Sequence, residues 1–233
     1  MSTELKQIVS LPPGLWGFFA FAVFLTVSSP LVVRSQTSNV QYTNKTVDLG
    51  LRGNLTVNPS TWAMGSGDYT FEAWIKVASN PAAKLRAIFQ KDAVGERQVS
   101  LQFDNLFTAN SINLIHFNDD GTMYWRQAPA NSIAPNTWYH VAGFRSGASL
   151  SIYIDGVSQT LSNPYSNGPL GTMKSAASVA YIGRHAYGGN EDYFNGLIDE
   201  ARVSNMARSA DWIKTEYNNQ SSPASFYAIG SAQ

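Results

Sequence analysis

Apolar and polar positions alternate along much of the chain beyond residue 40, and the period is two. From Tyr69 to Val77, the residues Tyr69, Phe71, Ala73, Ile75 and Val77 fall on one face, and Thr70, Glu72, Trp74 and Lys76 on the other. Leu150, Ile152 and Ile154 alternate with Ser149, Ser151 and Tyr153 in the same way. Successive side chains of a strand point to opposite faces, so the pattern predicts strands with one buried face. Asp155-Gly156 then supplies the type I′ turn of a two-residue hairpin, and Val157–Gln159 returns. Trp138–Arg145 reads as another strand. Further strands are expected at Ala87–Gln90, Gln98–Phe103, Ser111–Phe117, Met123–Gln127, Ser178–Ile182 and Leu197–Val203, separated by turn clusters such as Asn118-Asp119-Asp120-Gly121. About ten short strands predict an all-β fold, a two-sheet antiparallel sandwich. One helix is expected at Ser209–Tyr217. Ser209 is its N-cap, Asp211 sits favourably in its first turn, and Ala210, Ile213 and Tyr217 form the stripe that docks on the sandwich.

A different pattern precedes the strands. No Asp, Glu, Lys or Arg occurs from Gln7 to Val33, and the core of this stretch, Leu15–Val33, reads LWGFFAFAVFLTVSSPLVV. At 1.5 Å per residue such a helix spans roughly 28 Å, close to the ~30 Å hydrocarbon thickness of a bilayer. A transmembrane helix is therefore expected over residues 15–34. The stretch exceeds the ~7–15 residues of a signal-peptide core and has a thin basic flank, which favours a retained anchor over a cleaved leader. The resulting organisation is a short cytoplasmic tail (1–14), the helix (15–34), a linker (35–39) and an extracytoplasmic domain (40–233). This places the protein in a bacterial inner membrane with its domain on the periplasmic or extracellular side. Charge bias adds little, since Lys6 precedes the helix and Arg34, Lys45 and Arg52 follow it. Within the helix, the small Gly17 and Ala20 beside Trp16 and Phe24 would let a neighbouring helix approach; the alternative is that the aromatics face lipid.

Composition narrows the function classes. Lys and Arg total 16 against 16 Asp and Glu, which excludes a nucleic-acid binder working by phosphate neutralisation. The absence of cysteine excludes disulfide scaffolds, thiolate metal sites and thiol nucleophiles. No G-x-S-x-G elbow occurs, and no strand carries carboxylates at i, i+2 and i+4. Asp199 and Glu200 are adjacent, so on a regular strand they point to opposite faces. The expectation is a protein without catalytic activity.

Asp199 is the most informative position. On a regular strand it shares a core-facing stripe with Leu197, Ala201 and Val203, and a carboxylate there must be paired or coordinate something. Calcium is one candidate, with Asp48 as a second oxygen ligand. The alternative is hydrogen bonding to backbone N–H groups or to an arginine such as Arg202 or Arg184. The loop around Tyr187, Asn190 and Asp192 offers groups for a cation or a sugar hydroxyl. Trp62, Tyr124, Trp125 and Tyr187 are candidate sugar-stacking platforms, with core packing as the competing role. His116, His140 and His185 lack metal-ligand spacing, and His140 is expected to be a packed sheet histidine.

Several segments together carry a family pattern: Val47-Asp48-Leu49-Gly50, the run Tyr69–Lys76, Trp138-Tyr139-His140-Val141-Ala142, LSIYIDG at Leu150–Gly156, Tyr181-Ile182-Gly183-Arg184, and FNGLIDEARV at Phe194–Val203. In this order, over about residues 38–230, they resemble the laminin-G-like branch of the concanavalin A-like lectin/glucanase superfamily. The resemblance implies a jelly-roll sandwich that often carries a structural calcium, and Asp199 falls on the G-x-I-D-E motif. It does not fix a function, because such folds host lectins, adhesion modules and structural parts. The glucanase branch depends on a carboxylate motif absent here. The short tether favours a membrane-anchored accessory subunit whose sandwich covers neighbouring proteins of a larger complex in the bilayer, for example a respiratory or photosynthetic assembly. The alternative is a cell-surface carbohydrate-binding or adhesion module that captures glycans.

Overall fold

The computed structural model describes residues 64–78, 83–91, 97–163, 169–175, 180–185 and 192–222, with the backbone alone for Ala22–Phe24, Leu31–Arg34, Leu55–Val57 and Asp192. Fifteen strands and one helix follow in chain order: β1 Ala22–Phe24, β2 Leu31–Arg34, β3 Leu55–Val57, β4 Tyr69–Val77, β5 Leu85–Lys91, β6 Val99–Asp104, β7 Ser111–Phe117, β8 Met123–Gln127, β9 Trp138–Ser146, β10 Ser149–Ile154, β11 Val157–Ser158, β12 Ala180–Ile182, β13 Arg184–His185, β14 Asp192–Tyr193, β15 Gly196–Ser204 and α1 Ala210–Ser221. Every strand pairing is antiparallel. A seven-stranded sheet has the order β1-β2-β15-β4-β9-β10-β11, a six-stranded sheet the order β3-β12-β5-β6-β7-β8, and β13-β14 pair separately. These are the two layers of a jelly-roll sandwich.

Of the expected membrane helix, only Ala22–Phe24 and Leu31–Arg34 are described. They are short extended segments paired with each other, and Leu31 and Val32 also pair with β15. Its other residues, Trp16, Gly17 and Ala20 among them, lie outside the described set. No helix among the described residues is long and apolar enough to cross a membrane.

The alternating pattern works as read on the inner faces. Tyr69, Phe71 and Ile75 of β4, Leu101 and Phe103 of β6, Leu114 of β7 and Ile152 of β10 are all fully buried in one core. Each such side chain contributes about 1.5–3 kcal/mol relative to exposure. Tyr69 also hydrogen-bonds His116 Nδ1 at 3.1 Å. The outer faces depart from the simple pattern, because polar residues there are buried too. On the six-stranded sheet Gln102, Asn113 and Gln127 align across β6, β7 and β8. Asp104 Oδ2 accepts from Gln127 Nε2 at 2.6 Å, and its Oδ1 accepts from the backbone N–H groups of Leu106 and Phe107.

On the seven-stranded sheet the covering element is α1 with the segment before it. Ser209 caps the helix, accepting from the N–H of Trp212 at 3.1 Å. Ile213 is fully buried against Ala142 and Phe144, with Tyr153 and Ala207 beside them. Of the expected docking stripe, Ile213 and Tyr217 turn inward, whereas Ala210 is exposed in the first turn. Thr70 anchors the approach, donating to Met206 O at 2.8 Å and accepting from Arg208 N at 2.9 Å. That contact explains why Thr70 and Glu72, on the polar face of β4, are only 1% and 2% exposed.

β15 enters its sheet through Gly196 at φ +154°, where an added Cβ would lie 2.1 Å from the Lys76 carbonyl oxygen. Backbone cannot yield there as a flexible side chain can. Gly196→Ala is expected to cost about 3 kcal/mol of stability, combining overpacking with backbone strain. Urea denaturation of the variant measures this, and a midpoint equal to wild type would refute the close approach.

Candidate functional site

The register of β15 against β4 breaks once. Asp199 pairs with Trp74 and Arg202 with Glu72, so three steps along β15 match two along β4. One extra residue therefore sits in β15, a β-bulge, and Glu200 within it has φ +47°. A left-handed conformation costs a residue with a Cβ about 1–2 kcal/mol. Beyond the bulge the strand's parity is inverted: Ala201 and Val203 face the core, while on the near side it is Ile198 that packs against it. This corrects the expectation that Asp199 shares a core-facing stripe with Ala201 and Val203. Asp199 lies instead on the outer face, beside Trp74, and the adjacent Glu200 lines the same cleft rather than the opposite side.

That cleft is open, with a volume of about 680 Å³. Trp74, Trp138, Asp155, Asp199, Glu200, Tyr217, Asn219, Gln220 and Ser221 line it. The sheet supplies the first group and the last turns of α1 the second. Trp74 is the hinge pin between them. Its indole N–H donates to Gln220 Oε1, and its ring lies 5.8 Å from that of Tyr217, at 26°. Trp138, at the start of β9, is the most open aromatic of the cleft, 38% exposed. Asp155 begins the expected turn, with φ +51° followed by +73° at Gly156. Its carboxylate accepts from the His140 N–H at 2.8 Å, and its own N–H donates to His140 O at 2.8 Å. A Cβ on Gly156 would lie 3.2 Å from Lys214 Cα, so glycine lets α1 rest directly on this turn.

Burial pushes the carboxyl groups of Asp155 and Asp199 above the usual aspartate range, opposed at Asp155 by the His140 N–H and at Asp199 by the Glu200 N–H at 2.9 Å. Beneath α1 lies a charged network. Arg202 pairs through Nη1 with Glu216 and through Nη2 with Glu200 at 3.1 Å, and Gln220 Nε2 donates to Glu216 at 3.0 Å. Glu72 is buried under it. Burial raises its pKa to about 6, against the pull of Arg202. His140 Nε2 stands 3.9 Å from Glu72 Oε1, but burial and then Arg202 lower its pKa to about 4, so it is neutral near pH 7. His140 is thus the packed sheet histidine expected, tilted against Trp74 with 5.6 Å between ring centroids.

The other sequence candidates are distributed differently. Asp48, Trp62, Tyr187 and Asn190 lie outside the described residues, and of Asp192 and Phe24 only the strand backbone is described. Trp125 is 5% exposed in a small cluster with Ile115 and Phe117 on the outer face of the six-stranded sheet, with Phe107 edge-on at 5.7 Å. It is a packing residue away from the cleft. Tyr124 carries Arg126 over its ring at 4.0 Å. Of the candidate calcium pair only Asp199 lies among the described residues, and no group of three or more His, Asp or Glu able to hold a metal ion occurs among them. The aromatic and amide members of the cleft, Trp74, Trp138, Tyr217, Asn219 and Gln220, were not read from sequence as a site. The WYHVA and NNQS segments are 80 positions apart and carry no shared periodicity.

A family model described as the concanavalin A-like lectin/glucanases superfamily matches residues 49–214. No curated protein matches the chain. Among solved structures, a proposed carbohydrate-binding protein from Bacteroides ovatus ATCC 8483 shares 22% identity at a TM-score of 0.51, over 69% of this chain and 43% of its own. A Trypanosoma rangeli sialidase shares 15% identity at 0.48, over 67% and 23% respectively. The Ruminococcus gnavus IT-sialidase CBM40 bound to α2,3-sialyllactose shares 15% at 0.48, over 66% and 85%. The chain thus spans less than half the length of the first two. What is shared with the first is the fold.

Three buried groups with large shifts dominate the acid response, and the lesser upward shifts of Asp155 and Asp199 act in the same direction as that of Glu72. His116, lowered by burial to about 4, and His140, at about 4, both favour the folded state above the ordinary histidine value of 6.5 and lose that contribution as pH falls toward 4. Glu72 acts oppositely: raised from 4.5 to about 6, it gains as pH falls through that range. Two larger shifts outweigh the smaller ones, so the urea midpoint should fall between pH 6.5 and 4, with a shallower fall in His140→Gln. A midpoint that rises on acidification would contradict the buried, neutral state of both histidines.

Proposed function

The chain belongs to the concanavalin A-like lectin/glucanases superfamily, and on that premise we propose that its sandwich is a carbohydrate-binding module without catalytic activity, with its ligand in the cleft beside α1. One observation carries the proposal: an exposed indole, Trp138, shares an open cleft with three carboxylates and two side-chain amides. Sugar rings present an apolar C–H face and a rim of hydroxyls. An aromatic plane meets the first, and from the second carboxylate oxygens accept in strong charge-assisted hydrogen bonds and amide oxygens in ordinary ones. The fold shared with the Bacteroides ovatus protein makes glycans the ligand class to test first.

A hydrolytic role is the second reading, favoured by the bulge that brings Asp199 and Glu200 to one cleft. Against it, Asp155 already holds the His140 backbone and Glu200 holds Arg202, so two of the three carboxylates serve the fold. The accessory-subunit role favoured by the sequence rests on residues 15–34 and gains no support from the fold or the comparisons.

Trp138→Ala is expected to weaken binding to any glycan retained on an array at least tenfold, about 1.4 kcal/mol, with an unchanged melting temperature. The same incubation is expected to release no reducing ends. An array blank for the folded wild type would remove the glycan reading, and released sugar would replace it with hydrolysis.

A further inference from the structure

We infer that the cleft selects uncharged glycans and rejects those bearing a carboxylate or sulfate. The inference rests on the glycan reading above and adds the class of sugar. Its basis is the sign of the charge in the cleft. Asp155, Asp199 and Glu200 all line it, and no lysine, arginine or histidine among the described residues does. Three basic residues stand near it, and none is in the lining; the exposed Lys214 is carried by α1 where the helix rests on the Gly156 turn. Arg202 is held between Glu200 and Glu216, which leaves its charge neutralised behind the cleft wall. Lys76, the cross-strand neighbour of Trp138, stands outside the lining.

The geometry keeps those charges in place. The Asp155 carboxylate is fixed by the His140 N–H at 2.8 Å, Asp199 by the Glu200 N–H at 2.9 Å, and Glu200 by Arg202 at 3.1 Å. None of the three needs to turn away from an incoming ligand or can easily do so. A neutral sugar brings hydroxyl donors, which satisfy the free lone pairs of these oxygens. A sialic or uronic acid brings a further negative charge into a partly desolvated cleft whose described residues offer no counter-charge. Like charges a few ångströms apart in such surroundings repel far more strongly than in water.

The test uses the full 233-residue chain in detergent and calorimetric titration with matched pairs: lactose against α2,3-sialyllactose, and cellobiose and galactobiose against their uronic-acid counterparts. The neutral member of a pair is expected to bind at least tenfold more tightly. Raising NaCl from about 20 to 500 mM, which shortens the screening length severalfold, should narrow the gap with no mutation at all. Asp199→Asn and Glu200→Gln should narrow it too, each checked by melting temperature. Equal or tighter binding of the acidic members would overturn the selectivity while leaving the glycan reading intact; Lys76→Ala abolishing that binding would identify the residue responsible. Binding of no member of any pair, by a folded chain, would remove both.

Discussion

A buried carboxylate under the C-terminal helix is the constraint on which the functional face depends. Glu72 sits on the outer face of the central strand β4, where the alternating pattern alone would leave it in water. Covering it with α1 desolvates a charge, a cost met only if compensating groups are placed nearby. Arg202, brought opposite by the register of β15, offsets that cost in part, leaving the Glu72 carboxyl raised to about 6, and it binds Glu216 of the helix. The helix therefore docks in one orientation, with Ile213 inward and its last turns over Trp74. Those last turns are one wall of the cleft, so the electrostatics of docking and the existence of the site are the same matter.

The β-bulge contributes in a second way. By inserting one residue into β15, it lets Ala201 and Val203 keep their place in the core while Asp199 and Glu200 both reach the cleft. A regular strand would send one of the two into the sandwich. The strained conformation of Glu200 is the local cost, and it is retained at the position where acidic oxygens gather. The acidic lining, the exposed Trp138 and the amides of α1 together form the surface on which the proposed recognition of uncharged sugars rests.

Much of the architecture was legible along the chain. Tyr69–Val77, Ser111–Phe117 and Met123–Gln127 appear with the expected bounds, most other expected strands differ by a residue or two at their ends, and Asp155-Gly156 forms its turn. The resemblance to the superfamily was legible in the same segments. These features depend on neighbours within a few residues, or on one face being uniformly apolar. The reading failed where a single residue changed parity, at Asp199, and where a strand's polar face was covered by something distant, at Thr70, Glu72 and Gln102. Trp125 misled for the same reason: an aromatic on the polar face of a strand looks exposed until its packing partners are known.

The sequence by itself determined the class of fold, most strands between Tyr69 and Ser204, the start of the helix with its Ser209 cap and the neutral balance of charge, because period, propensity and capping are local properties. Only the tertiary structure decided which polar residues are buried, that Asp199 faces outward, and that Trp138 on β9 and Gln220 on α1 border one cleft. Those outcomes depend on strand register and on the docking of remote segments, and a one-residue shift in register reverses every side chain beyond it.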